Sequence, residues 1–115
     1  MDDASKLQFV FQTLGEANRL RIIKFIGEEE RSVSEIVDAM ELSQPLVSHH
    51  LRALRNAQIL EANRSGPFVY YKLKDKKILD ALGLFLEISS VLRDIKIEKP
   101  MFFCPPGWKT KWRGK

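Results

Sequence analysis

The feature that most constrains this chain is a pair of short helices separated by a tight turn. Ser32 can cap the start of the first helix, and Glu35 follows three residues later, as a capping box requires. Ser43 is a second N-cap candidate, and Pro45 is tolerated because it lies in the first turn of the next helix. The turn between the helices is about three or four residues long, which predicts a helix-turn-helix.

A β-hairpin is predicted directly after this pair, because the second helix fades near Asn56. Residues 59–64 form the first strand, residues 65–67 (SGP) the turn, and residues 68–73 (FVYYKL) a returning strand rich in β-forming residues. Pro67 cannot donate to a strand ladder, so it belongs in or beside the turn. A hairpin in this position is a wing.

Three further helices complete the predicted fold. The first ends at Gly15, the second stops near Gly27 before an exposed acidic loop, and the last is capped by Asp75 and runs to about Leu92. The fold class is therefore mainly α with a β-hairpin. Four helices, the hairpin and a fifth helix form a winged helix-turn-helix.

The last predicted helix is apolar around most of its circumference, and such a helix is buried on all sides. A chain of 115 residues has little interior to offer a terminal helix. A partner subunit is therefore the favoured cover, and the core of a monomer is the alternative. We expect a homodimer formed through the terminal helices.

The charge distribution favours a polyanionic partner. Residues 43–77 carry seven Lys/Arg against two Asp/Glu, and residues 96–115 carry six against one. The remaining segments are net acidic, although the whole chain has a net charge of +4. Two basic blocks on an otherwise acidic chain suggest a polyanion-binding face, and a solvated lysine-rich surface is the alternative.

Several classes of protein are disfavoured by what the sequence lacks. No apolar run reaches the roughly 20 residues that cross a bilayer, and the acidic N-terminus lacks a signal-peptide pattern. A cytoplasmic protein with no membrane partner is therefore expected. No nucleophile, base and orienting group converge, and no phosphate-cradling Gly-rich loop is present. We expect neither an enzyme nor a cofactor.

The two histidines of the chain are adjacent, at His49 and His50. At about 100° per residue, Val47, Leu51 and Leu54 define the buried side of their helix. His50 falls on the flank of this side and is predicted to be a half-buried structural imidazole, with a ligand as the alternative. His49 falls on the opposite side, so the two imidazoles cannot jointly chelate one ion.

The exposed side of this helix is polar and contains no acidic residue between Ser43 and Gln58. Small and amide side chains near a helix N-terminus can approach base edges in the major groove of double-stranded DNA, and arginines further along suit phosphates. An ordinary solvated face is the alternative. The candidate DNA-binding residues are Gln44, Ser48, His49, Arg52 and Arg55.

The segment from about Leu14 to Leu73 resembles the ArsR/SmtB family of winged-helix transcriptional repressors. SQPLVSHHLRAL, at residues 43–54, fits the family's recognition-helix pattern S-Q-x-x-V-S-H-H-L-x-x-L. LGEANRLRIIKFI resembles the family's second helix, although Glu16-Ala17 stands where Asp-Pro is usual. Gly66 and FVYYKL fit the wing.

The resemblance implies a homodimeric repressor on a pseudo-palindromic operator, with an effector that lowers DNA affinity. It implies that Gln44, Pro45, Ser48 and His49 face bases and that Arg64 lies at the wing, near the minor groove or phosphates. The first and last helices would form the dimer interface. The expected interface residues are Leu7, Val10, Phe11, Leu82, Phe85, Leu86, Ser89 and Leu92.

The metal-sensing ligands of the family are missing from this sequence. Ser32 and Ser34 stand where some members have a Cys-x-Cys pair, and the last helix carries Asp80, Glu87 and Asp94 without a histidine. Asp80 and Glu87 are seven residues apart and could share a face, but two carboxylates without an imidazole make a weak site for zinc-like ions. No metal site is predicted.

Residues 96–115 are predicted to form a basic, aromatic tail beyond a DNA-binding and dimerisation domain of residues 1–95. Its four aromatic residues favour a tail that packs on the dimer, with contact to DNA as the alternative. Cys104 is the single cysteine, and nearby lysines favour its thiolate. A redox-sensing thiol, a Cys-Pro haem ligand and a cysteine without function all remain open.

The predicted function is a sequence-specific DNA-binding repressor, released from DNA by an unknown small-molecule or redox effector. The alternative is a winged-helix protein-interaction module that uses its apolar last helix as a docking surface.

Overall fold

The computed structural model describes residues 2–91, with side chains for residues 2–89. The elements in chain order are α1 (Asp3–Leu14), α2 (Ala17–Ile26), β1 (Arg31–Ser32), α3 (Val33–Met40), α4 (Gln44–Asn56), β2 (Leu60–Ser65), β3 (Phe68–Leu73) and α5 (Lys77–Val91). The predicted winged helix-turn-helix is confirmed. Leu92, Asp94, Cys104 and the predicted tail lie outside the described residues.

The helix starts in the helix-turn-helix are held by the predicted caps. The Glu35 backbone N–H donates to Ser32 Oγ over 3.1 Å, and the Ser32 N–H donates to Glu35 Oε1 over 2.9 Å. At α4, the Leu46 N–H donates to Ser43 Oγ over 3.3 Å. Each cap satisfies a backbone donor that the helix leaves unpaired, which typically contributes about 1 kcal/mol.

The wing forms where it is predicted, with one difference in its bounds and one added strand. β2 begins at Leu60 and includes Ser65, so the turn is shorter than the sequence indicates. Gly66 occupies this turn with φ +63°, a conformation that favours glycine. β1, which the predicted element order omits, pairs antiparallel with β3 and gives the sheet order β1-β3-β2. Two residues are too few to show a strand pattern in the sequence.

The core lies where α2, α3 and α4 pack together over β2 and β3. Its fully buried side chains are Ile22, Ile23, Ile26, Ile36, Val47, Leu51, Leu54 and Leu60. Three of these belong to α4, and they fix which side of that helix faces inward. The burial of such aliphatic side chains is the main source of stability, at about 1.5–3 kcal/mol each.

The terminal helices pack against each other but leave much apolar surface exposed. The rings of Phe11 in α1 and Phe85 in α5 meet edge to face, with their centroids 6.0 Å apart. Even so, Phe85 is 51% exposed and Leu84 is 60% exposed. Of the expected interface residues, Leu7, Phe11, Phe85, Leu86 and Ser89 are exposed, whereas Val10 and Leu82 are partly buried. Contiguous exposed apolar surface of this kind marks an interaction site.

None of the helices described between residues 2 and 91 has the length and apolar character that crossing a membrane requires.

Leu54→Ala should lower the free energy of unfolding by about 2–5 kcal/mol, because it removes a fully buried side chain and leaves a cavity. Leu46→Ala is the matched control on the same helix, since Leu46 is 40% exposed. The control should change stability by about 0.5 kcal/mol or less. Urea unfolding followed by circular dichroism measures both, and equal losses would contradict the assigned packing of α4.

Candidate nucleic-acid interface

The position of α4 is set by four buried side chains on one side, Val47, His50, Leu51 and Leu54. These residues recur at helical spacing, so the opposite side of α4 faces solvent. Gln44, Pro45, His49, Arg52 and Arg55 are exposed, and Ser48 is partly buried. The division of α4 into a buried and an exposed side therefore follows the sequence prediction.

A cleft of about 450 Å³ lies between α4, the start of α3 and the wing. Four predicted DNA-binding residues line it: Gln44, Ser48, Arg52 and Arg55. Among its described lining residues there is no Asp or Glu. The cleft therefore combines short polar side chains with two cations.

The other three predicted DNA-binding residues lie outside this lining. Pro45 and His49 are exposed elsewhere on α4, and Arg64 is exposed on β2 opposite Val69 of β3. Within residues 2–89, no ion pair involves Arg52, Arg55 or Arg64. All three guanidinium groups are therefore available to an external anion.

Sequence reasoning missed the far wall of the cleft. The start of α3 contributes Ser32, Val33 and Ser34, and the wing contributes Pro67, Phe68, Val69 and Tyr71. The pairing of Ser32 with Tyr70 brings these two segments together. The capping box was a usable signal, because it marks where the first turn of α3 presents backbone N–H groups.

His50 is more deeply buried than predicted, with only 4% of its surface exposed. The cause is the packing of α2 against α4, because Arg19 Nε in the first turn of α2 donates to His50 Nδ1 over 3.1 Å. Burial lowers the pKa of His50, and the nearby Arg19 and His49 lower it further, against the opposing effect of Glu16. His50 is thus a neutral, structural imidazole.

His49 is exposed and His50 is buried, as predicted, but the two rings lie closer than the predicted opposite sides imply, with their centroids 5.5 Å apart. Between residues 2 and 89, no three His, Cys, Asp or Glu side chains are grouped so as to hold a metal ion. Asp80 and Glu87, the carboxylates considered from the sequence, are both exposed on α5.

Comparison with known proteins identifies the family. The sequence pattern of the family described as "Bacterial regulatory protein, arsR family" matches residues 16–62. The transcriptional repressor SmtB homolog of Synechocystis is 31% identical over 94 residues, which cover 82% of this chain and 69% of that protein.

Solved structures share the fold. Mycobacterium tuberculosis Rv0081 has a TM-score of 0.70 at 30% identity, covering 82% of this chain and 97% of that chain. A homodimeric winged helix-turn-helix DNA-binding domain from Mycobacterium bovis has a TM-score of 0.71 at 22% identity. It covers 86% of this chain and 97% of that chain.

The matched residues include α2, the complete helix-turn-helix and the first residues of the wing. They contain the residues of β1, α3 and α4 that line the cleft, whereas the lining residues of the wing follow the match. The protein therefore belongs to the arsR family of bacterial regulatory proteins, and it is a winged helix-turn-helix transcriptional regulator and not an enzyme.

Proposed function

We propose that the protein is a sequence-specific repressor that binds operator DNA as a homodimer. The observation that carries this proposal is the cleft beside α4, which has two unpaired arginines and no acidic side chain among its described lining residues. Such a surface attracts the phosphate backbone of DNA, and an acidic protein surface is the alternative partner with the most similar charge. The relatives named as repressors support the same function.

The exposed side of α4 divides into two parts with different roles. The major groove admits one helix, and its base edges are read by side chains near the N-terminus of that helix. Gln44 can pair with adenine, Ser48 with either base type, and His49 with a purine acceptor or a phosphate. Pro45 lies beside them as an apolar contact. These four residues are proposed to select the sequence.

The arginines are proposed to supply affinity without selectivity. Arg52 and Arg55 lie one and two turns further along α4, where the helix leaves the groove and approaches the phosphates. Arg64 on the wing would contact the adjacent minor groove or the backbone. Each contact of this kind releases counterions, so it makes binding dependent on salt.

The exposed apolar residues of α1 and α5 are proposed to pair with those of a second copy. Leu7, Phe11, Phe85 and Leu86 are all exposed, and the contact between Phe11 and Phe85 joins the two helices that carry them. A two-fold dimer would present two copies of α4 to half-sites about 34 Å apart. The homodimeric Mycobacterium bovis domain shows that this fold assembles in pairs, in that protein.

The effector is proposed to be a small molecule or a redox signal, acting in the cytoplasm. A protein-interaction module without DNA affinity is not favoured, because it gives no role to a cleft that is lined by two arginines and by no described Asp or Glu.

Binding to a duplex from the promoter of its own gene should weaken steeply as salt rises. Arg52→Met and Arg55→Met should each reduce the slope of log affinity against log salt by about one. Ser48→Ala and His49→Ala should keep the slope and lose discrimination between this duplex and a scrambled one. Fluorescence anisotropy measures both quantities. An affinity that barely changes with salt would contradict the proposal, because it would mean that phosphate contacts are absent.

Phe85→Glu should convert the protein to a monomer, because it places a charge inside the proposed interface. Asp80→Ser, at an exposed position on the same helix, is the matched control and should remain dimeric. Sedimentation equilibrium reports the mass of each, and circular dichroism checks that both are folded. A folded Phe85→Glu dimer would refute the interface.

A further inference from the structure

A partly buried polar cluster joins α4 to the end of α1 and the first turn of α2. Arg19 is its centre: Nε donates to His50 Nδ1 over 3.1 Å, and Nη1 donates to the Thr13 carbonyl over 3.2 Å. The Arg19 backbone N–H also donates to Glu16 Oε1 over 3.1 Å. One side chain therefore holds the last turn of α1, the first turn of α2 and the middle of α4 together.

The cluster requires neutral His50. Because Nδ1 accepts from Arg19, the imidazole proton lies on Nε2. In the described part of the chain, this Nε2 is buried without a hydrogen-bond partner, and the nearest carboxylate oxygen, Glu16 Oε1, is 3.8 Å away. A second proton on His50 would remove the acceptor and place two cations side by side.

The hydrogen bond between Arg19 and His50 restrains the rotation of α4 in a way that its apolar contacts do not. Aliphatic burial is non-directional, so Val47, Leu51 and Leu54 decide which side of α4 is buried but leave small rotations of the helix less restrained. A hydrogen bond is directional, and its energy falls steeply with misalignment. His50 follows directly after Ser48 and His49 on the same helix. A rotation that breaks the Arg19 contact therefore turns both proposed base-reading side chains.

Arg19 does not itself belong to the DNA-facing surface. It is partly buried, it is absent from the lining of the cleft, and its guanidinium group is engaged on two sides. It also touches the end of α1, whose outer side is the proposed dimer surface. Arg19 therefore lies between α1, which carries part of the proposed dimer surface, and α4, which carries the proposed base-reading residues.

We propose that Arg19 is a positioning residue for DNA binding: through His50 it sets the rotation of α4 relative to α1. This inference rests on the proposed function and adds the residue that orients the reading helix. A change in α1 at the dimer interface would reach α4 by this route.

The proposal makes DNA affinity sensitive to acid. Since the folded-state pKa of His50 is below 6.5, the neutral link is intact above that value and is lost as the pH falls through the folded pKa. The charged groups that face His50 are Arg19, which disfavours protonation, Glu16, which favours it, and His49 on its own helix. Once His50 is protonated, Arg19 is repelled and Glu16 is attracted.

Arg19→Met should weaken binding to the specific duplex by about tenfold, the size expected for one buried hydrogen bond. The salt slope should stay unchanged, because no phosphate contact is lost. Lys24→Met, at an exposed position on the same helix, is the control for the loss of one positive charge. It should bind like the unaltered protein.

His50→Asn tests the link without a titrating group, because the Asn amide oxygen can replace Nδ1 as the acceptor. This variant should bind within about threefold of the unaltered protein at pH 7.5. It should lose less affinity on acidification through the pKa of His50, which an NMR titration of the imidazole locates. His50→Leu should match Arg19→Met, and the double variant should bind no worse than either single one. If His50→Asn does not fold, Arg19→Met replaces it in the acid test, because it removes the donor to Nδ1 and should show the same reduced acid sensitivity.

Three results would overturn the proposal. Full affinity in folded Arg19→Met would make the cluster a stability feature alone. A salt slope reduced by about one would make Arg19 a phosphate ligand. Equal acid sensitivity in His50→Asn and the unaltered protein, at a pH where NMR shows His50 to be protonated, would remove the role of His50. If the unaltered protein binds no duplex at any salt concentration, the proposed function itself fails.

Discussion

The burial of one side of α4 is the constraint on which the rest of the structure depends. Val47, Leu51 and Leu54 are almost fully removed from solvent, and a helix with its buried side fixed has its exposed side fixed as well. Ser48, His49 and Arg52 face outward as a consequence. The wing and the start of α3 then enclose this side in a cleft, because β1 pairs with β3. The site is thus a consequence of packing.

The parts of the fold that the sequence predicted are those with local signals. Ser32 and Glu35 are three residues apart, and the hairpin turn is marked by Gly66 and Pro67, so a short window contains all the information. The orientation of α4 is equally local, since apolar spacing along one helix determines it. The added β1 strand is different. It forms only because β3, which is distant in the sequence, pairs with it.

The polar contacts of the site needed the structure for the same reason. Arg19 and His50 are 31 residues apart, and nothing in either neighbourhood indicates that they meet. His50 was recognisable as structural from its place on the helix. Its deep burial and its hydrogen-bond partner come from α2, which packs against α4. The far wall of the cleft, including Phe68 and Tyr71, was likewise set by long-range strand pairing.

The most direct test of the central account is an amide NMR titration of the folded protein with a duplex from the promoter of its own gene. We predict that the large shift changes cluster on Gln44, on residues 46–55, and on Ser34, Phe68 and Val69, which line or adjoin the cleft. A duplex of scrambled sequence should shift the amide signals of fewer of these residues. Shift changes confined to α5, with none in α4, would contradict DNA recognition by this surface.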